Sequence, residues 1–392
     1  MARAEEIGDS DSLKAWLEDQ PQEVAVWIAA RAAARVLPVW WQAVLTQDWA
    51  RERDVTALPV LRSLLISSVA AVGPCSQTAL ATSDAREALD GAVVSVGAAL
   101  DDVESEDIAD IDGAIAAIAA AAEVASNSAT AEAGSAYTAG ASISIVRDSG
   151  IVWTAVRTDA GQVADGRFPD ALPLWHGGAG PLAAQWTEIK ARVAGAPDAD
   201  GWQFWLAWYD ALLYGRPMLG VAARTLEMLE KIALIDPATW DKGPEVVNPV
   251  IREIWELHRL RADAAALRAE KDALLRERAT VAQRSHNAPP GLVEDEPELA
   301  AQVTIIWAAL DEAGEELEAA SPDKSRLREI AGRMLAALRA VAAYCGEVSH
   351  RTIMSAATVV GSGLGVVILD KVVNNGRLWQ FVHDLLSFSG RG

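Results

Sequence analysis

Metal or proton chemistry in this chain would have to start from five histidines: His176, His258, His286, His350 and His383. Imidazole titrates near neutral pH and ligates transition metals. A helical zinc or di-iron site, however, needs further ligands one turn away, as H-x-x-x-H or as two facing Glu-x-x-His pairs. No two histidines are so spaced, and no two Glu-x-x-His pairs occur. His176 stands apart in the glycine-rich stretch WHGGAG, which could set its ring beside a ligand; a surface-loop histidine is the plainer reading. The run Asp101, Asp102, Glu104, Glu106, Asp107, Asp110, Asp112 invites calcium. An EF-hand loop alternates oxygen ligands and ends on glutamate at its twelfth position. Ile108 and Ala109 interrupt that alternation here, and the twelfth residue from Asp107 is Ile118. A solvated helix start fits better, because acids are favoured near helix N-termini.

Nucleotide and hydrolase chemistry fare no better. The stretch VVGSGLGVV brings its third glycine, Gly365, one position too early for G-x-G-x-x-G, and only 27 residues follow it, too few for the rest of a βαβ unit. There is no G-x-S-x-G elbow and no G-x-x-x-x-G-K-[ST] loop. Cys75 and Cys345 are too few and too far apart for a disulfide framework or a thiolate metal site, which fits a reducing cytoplasm. No catalytic, cofactor-binding or metal-binding residue is therefore assigned, and the sequence predicts a protein that is not an enzyme.

Two stretches are better suited to recognition. Residues 352–369, TIMSAATVVGSGLGVVIL, carry no charge and lie between Arg351 and Asp370. A helix of that length reaches roughly 27 Å, near the thickness of a bilayer's hydrocarbon core. Gly361, Gly363 and Gly365, with Val359, Val360 and Ile368, would give it a face for close helix packing. Contact with lipid and burial against other helices, in the same chain or a second copy, are both open. The other stretch is the Trp-rich face of Trp202, Trp205, Trp208 and Tyr209, with Arg216 and Trp240. Aromatics and arginine dominate binding hot spots, so this face could hold a protein partner; a tryptophan stripe at helical spacing also suits a core.

The elements that would position these residues are helices. Apolar residues make up 51% of the 392 residues, much of it alanine, and fifteen Trp stand beside only four Phe and four Tyr. Tryptophan must supply much of the large-side-chain packing. Leu13, Trp16 and Leu17 sit on a first helix capped by Ser10 or Asp11. Pro21 opens QEVAVWIAARAAARVLPVWWQAVL, which Pro38 should kink or divide. A further apolar helix is predicted over Leu58–Val72. Alanine-rich helices follow to residue 146.

Residues 147–182 read as a linker with a short strand at Ile151–Val156, and residues 183–284 as a Trp-rich helical unit running into a long charged helix. That helix has a seam of Leu257, Leu260, Ala264, Leu267, Lys271, Leu274, Arg278 and Val281, an imperfect coiled-coil pattern that could pair with a second copy. A Pro-rich hinge spans 285–297, and a C-terminal helical bundle spans 298–392. The fold class predicted is all-α: helical bundles in several domains, the first covering 1–146, with one long charged helix.

Three blocks in order, WQFWLAWYDALLYGR at 202–216, TWDKGPEVVNPVI at 239–251 and RSHNAPP at 284–290, resemble a group of uncharacterised helical bacterial proteins. Those proteins carry a Trp-rich WY block, a W-x-x-GP-x-x-VN block and an HN-x-PP hinge. The opening WLEDQPQEVAVWIAARAAARVLP is similar to their N-terminal part. The resemblance covers about a third of the chain and implies a helical fold, with no activity or site to carry over.

Charge narrows the partners. The formal net charge is −21, which argues against nucleic acid, since phosphate contacts need clustered Lys and Arg. Residues 1–150 hold nine Lys/Arg against twenty-three Asp/Glu, whereas 250–285 hold eight against six. The N-terminus has no apolar run after its first charges, so it does not read as a secretory signal. The expectation is a cytoplasmic, non-enzymatic effector or assembly protein that self-associates. It could reach the inner membrane, peripherally or inserted, through its C-terminal uncharged helix, with pore formation one version of that role. The alternative is a soluble scaffold or adaptor holding a protein partner on its Trp-rich face; a third and least favoured reading is an enzyme with an unrecognised site near His176 or the Trp cluster.

Overall fold

The computed structural model describes residues 3–72, 81–90, 107–126, 135–138, 149–163, 172–178, 180–284, 297–352 and 376–391, and no strand occurs among them. The fold is all-α. Its internal contacts divide the chain into two units, Met1–Ile254 and Trp255–Gly392. Residues 353–369 of the uncharged segment, with Gly361, Gly363, Gly365, Val359, Val360 and Ile368, and residues 285–296 of the hinge, with the HN-x-PP block, lie outside the described residues.

In the first unit, a 3-10 turn at Ala4–Glu6 precedes α1, Ser10–Leu17. The cap is Asp9, one residue earlier than expected; its carboxylate accepts from Ser12 N at 2.8 Å, satisfying a helix-end donor. The central element is α2, Gln22–Thr46. It is long and apolar enough to cross a bilayer, yet 94% of its most apolar stretch is buried inside the unit, as in the middle of a globular core.

Pro38 was expected to kink or divide α2, and α2 runs undivided through it. A proline has no N–H to donate to the carbonyl four residues back, which here belongs to Ala34. The hydroxyl of Tyr209 donates to Ala34 O at 3.1 Å. A neighbouring helix thus supplies the missing donor.

Around α2 stand α3 (Asp48–Glu52), α4 (Leu58–Val72), a helical stretch α5 at 81–90, α6 (Asp107–Ser126), a single turn α7 at 135–138 and α8 (Ser149–Val163). Helix α4 has the bounds expected from sequence, and Asp107 opens α6 rather than a calcium loop. Alanines let α6 lie close to α2 and α4: Ala114, Ala117, Ala121 and Ala122 are all fully buried.

Helix α8 corrects the expected linker and strand. Its Gly and Asp residues read as loop punctuation, but Val152, Ala155, Val156, Ala160 and Val163 are buried at helical spacing. That stripe packs on α2, and its 3.6-residue period decides the conformation. The unit continues with α9 (Ala183–Ala194), α10 (Ala199–Tyr214), α11 (Ala222–Ala233), α12 (Pro237–Trp240) and the start of α13 (Pro244–Arg284).

The second unit holds the rest of α13 with α14 (Pro297–Glu318), α15 (Lys324–Thr352) and α16 (Arg377–Gly390). Leu260, Ala264 and Leu267 of the α13 seam pack into one core with Leu310, Met334 and Phe381 from the three other helices. These seam positions are thus covered within their own unit. Lys271, a charged position in the seam, bonds both carboxylate oxygens of Asp311 at 2.6 Å. Gly314 lets a neighbour in close: an added Cβ would lie 2.8 Å from the Arg268 guanidinium, which bonds Asp311 at 3.2 Å.

Candidate functional site

The first unit contains a buried ionic cluster built on α2. Arg31 and Arg35 are four residues apart and so share one helix face. Opposite them, α8 presents Asp159. Arg31 Nε donates to Asp159 Oδ2 at 3.0 Å, and Arg35 Nη2 to the same oxygen at 2.5 Å. His176 Nε2 lies 3.1 Å from Asp159 Oδ1. The segment 172–176 closes the cluster with its carbonyls: Arg31 donates to Leu172 O at 3.0 Å and Pro173 O at 2.6 Å, and Arg35 to Leu174 O at 3.0 Å.

Burial alone would push the Asp159 carboxyl up. The guanidiniums of Arg31 and Arg35 and the hydrogen bond from His176 outweigh it and hold the carboxyl well below the usual carboxylate range. Burial in turn pulls Arg35 down. Two guanidiniums share one carboxylate, so the cluster carries a surplus positive charge inside a chain that is otherwise strongly acidic.

The backbone around this cluster depends on two glycines. Gly215, just past α10, has φ +60°, and a Cβ there would lie 2.4 Å from Pro173 N. Only glycine both adopts the left-handed helix cap and lets 172–173 approach. Leu174 N then donates to Leu212 O at 3.2 Å. Gly180, with φ +75°, would bring a Cβ into the Trp175 ring, so the WHGGAG stretch folds onto its own tryptophan. His176 is a partner of a buried acid, not a free loop residue.

Beside the cluster, α2, α4, α10 and α11 enclose a cavity of about 360 Å³. Trp27, Val69, Leu212, Leu226 and Leu229 give it apolar walls. Arg31 reaches it from the cluster and Arg216 stands at its exposed edge. No Asp, Glu or His is among its described lining residues. Its two hydroxyls are engaged locally: Ser68 donates to Leu64 O at 2.8 Å and Thr225 to Val221 O at 3.0 Å. The Trp208 indole N–H, also on a lining residue, is buried without a partner among the described residues.

The residues of the expected Trp-rich recognition face are placed differently. Trp205, Trp208, Tyr209 and Trp240 are buried in the unit's interior, Trp202 is half-buried and Arg216 is exposed. Trp205 stacks edge-on with Phe204 and Trp208 at 5.2 and 5.9 Å, and its N–H donates to Asn248 Oδ1 at 3.0 Å. That bond joins the WY block to the GP-x-x-VN block. Trp240 lies under the Arg62 guanidinium at 5.1 Å, a cation–π contact. Where Phe is scarce, these rings fill the core. Of the six, Trp208 and Arg216 meet at the cavity.

Sequence reasoning missed Arg31, Arg35 and Asp159. A signal existed: two arginines one turn apart in a stretch otherwise apolar from Val24 to Trp41 must be buried together, and buried charges need counter-charge. Among the described residues no group of three His, Cys, Asp or Glu side chains gathers to hold a metal. No family model, curated protein or solved structure matches this chain.

Proposed function

We propose that this protein is a non-enzymatic helical binding protein whose first unit takes a small apolar molecule into the cavity between α2, α4, α10 and α11. The observation that carries the reading is the cavity itself: about 360 Å³, apolar-walled, with two arginines and no acid among its described lining residues. That volume lies at the small end of ligand sites, roughly 300–1,000 Å³. The lining offers no general base, and its hydroxyls are tied to the backbone, so binding is better supported than turnover. The neutral apolar dye Nile red tests it. Saturable one-to-one binding to the full chain, lost in Ala223→Trp at the cavity edge, is expected. Non-saturable partition, or binding unchanged by that variant, overturns the reading.

A second reading keeps the effector role expected from sequence, with self-association or membrane contact as its output. It rests on the uncharged composition of residues 352–369 between Arg351 and Asp370. Liposome flotation of the full chain against a chain ending before Thr352 tests it; equal flotation of the two removes lipid contact through that segment.

A further inference from the structure

We infer, resting on the reading of the cavity as a ligand site, that its occupant is a single-tailed amphiphile with an anionic head, carboxylate or phosphate. The argument is one of charge. The chain carries fifty-five Asp and Glu against thirty-four Lys and Arg, yet the described residues of the cavity lining include two cations and no acid. That balance departs from the average of the chain, in which acids outnumber bases. Neither arginine is neutralised in the usual way. Arg31 shares its one carboxylate, Asp159, with Arg35. Arg216 lies 5.6 Å over the Tyr214 ring and forms no ion pair with a described residue.

The two arginines differ in what they can do. Arg31 Nε and both its terminal nitrogens already donate to Asp159, Leu172 and Pro173. It is a fixed source of positive potential at the inner wall. Arg216 is exposed and its planar fork is unengaged, a geometry that meets a carboxylate or phosphate with two parallel hydrogen bonds. The head therefore sits on Arg216 at the edge, and the tail runs inward along Trp27, Val69, Leu212 and Leu226. Apolar contact supplies the affinity, and the cations select the sign of the head.

Calorimetric titration of the full chain with decanoate, decyl phosphate, decanol and decyltrimethylammonium, each below its micelle concentration, tests this. Decanoate or decyl phosphate is expected to bind about tenfold tighter than decanol, the size of one charge-assisted hydrogen bond at a partly open site. The cation is expected to bind weakest. The stronger of the two anions identifies the head. Arg216→Ala should bring the anions close to the affinity that decanol shows for the same variant. If decanol binds as well as the anions, or if Arg216→Ala keeps the preference, the assigned head chemistry is overturned and the cavity reading stands. If none of the four binds, both fall.

Discussion

The Asp159 carboxylate and the Arg35 guanidinium meet at 2.5 Å with neither side chain exposed to solvent. Asp159 also holds Arg31 and His176, so one acid ties α8 to α2 and to the 172–176 segment. Charges buried this deeply are costly to desolvate, and much of the stabilisation lies in not leaving a partner alone. Asp159→Asn would keep the shape and strand two guanidiniums. The expected cost is about 3–5 kcal/mol in urea unfolding; a loss under about 1 kcal/mol would show that the cluster is solvated in solution.

The same acid sets a pH dependence whose sign follows from its shift. Its folded pKa lies below the ordinary value of 3.8, so the folded state favours the ionised form. The resulting stability is present above about pH 4 and is lost as pH falls from there toward the folded value. Melting temperatures of wild type and Asp159→Asn should therefore converge as pH drops from 5 to 2.5. Parallel curves across that range would mean that Asp159 is not held ionised.

Tyr209 and Pro38 make a pair that can be tested by a double-mutant cycle. The Tyr209 hydroxyl serves the Ala34 carbonyl that Pro38 leaves without a helical donor. Tyr209→Phe should cost about 1–3 kcal/mol, because it leaves a buried acceptor unsatisfied. In a Pro38→Ala background the restored N–H can take over that carbonyl, and the same change should cost at least about 1 kcal/mol less. Equal costs in both backgrounds would uncouple the two residues.

How much of this was readable beforehand depended on whether the signal was local. Leu58–Val72 is apolar with a break beyond it, and its bounds follow from the pattern. The α13 seam announced a buried stripe through Leu260, Ala264 and Leu267. Which surface would cover that stripe depended on distant helices, and a second copy read as well as α14–α16 did. Helix α8 was obscured because Gly150, Asp159 and Gly161 resemble the punctuation of a linker, although Asp159 is buried against α2. The cluster was the hardest to see: Asp159 is 124 residues from Arg35, and no spacing rule links them. The cavity is likewise a product of packing, assembled from four helices with no shared motif.

The last test sets a surface ion pair against apolar burial within the second unit. Lys271 occupies a seam position between Leu267 and Leu274, which are 4% and 6% exposed. Its amine reaches Asp311, whose side chain is 41% exposed. Burial raises the Asp311 carboxyl, but hydrogen bonds from Lys271 and Arg268 outweigh it and lower it overall. A pair with so much solvent on one side contributes about 0–1 kcal/mol, and Arg268 would still hold Asp311 if the lysine were removed. A leucine buried along the same stripe brings roughly 1.5–3 kcal/mol. Lys271→Leu should therefore stabilise the protein by about 1 kcal/mol in urea unfolding, whereas Leu267→Ala should cost about 2–5 kcal/mol. A destabilised Lys271→Leu variant would mean that the ion pair, and not the apolar stripe, governs this position.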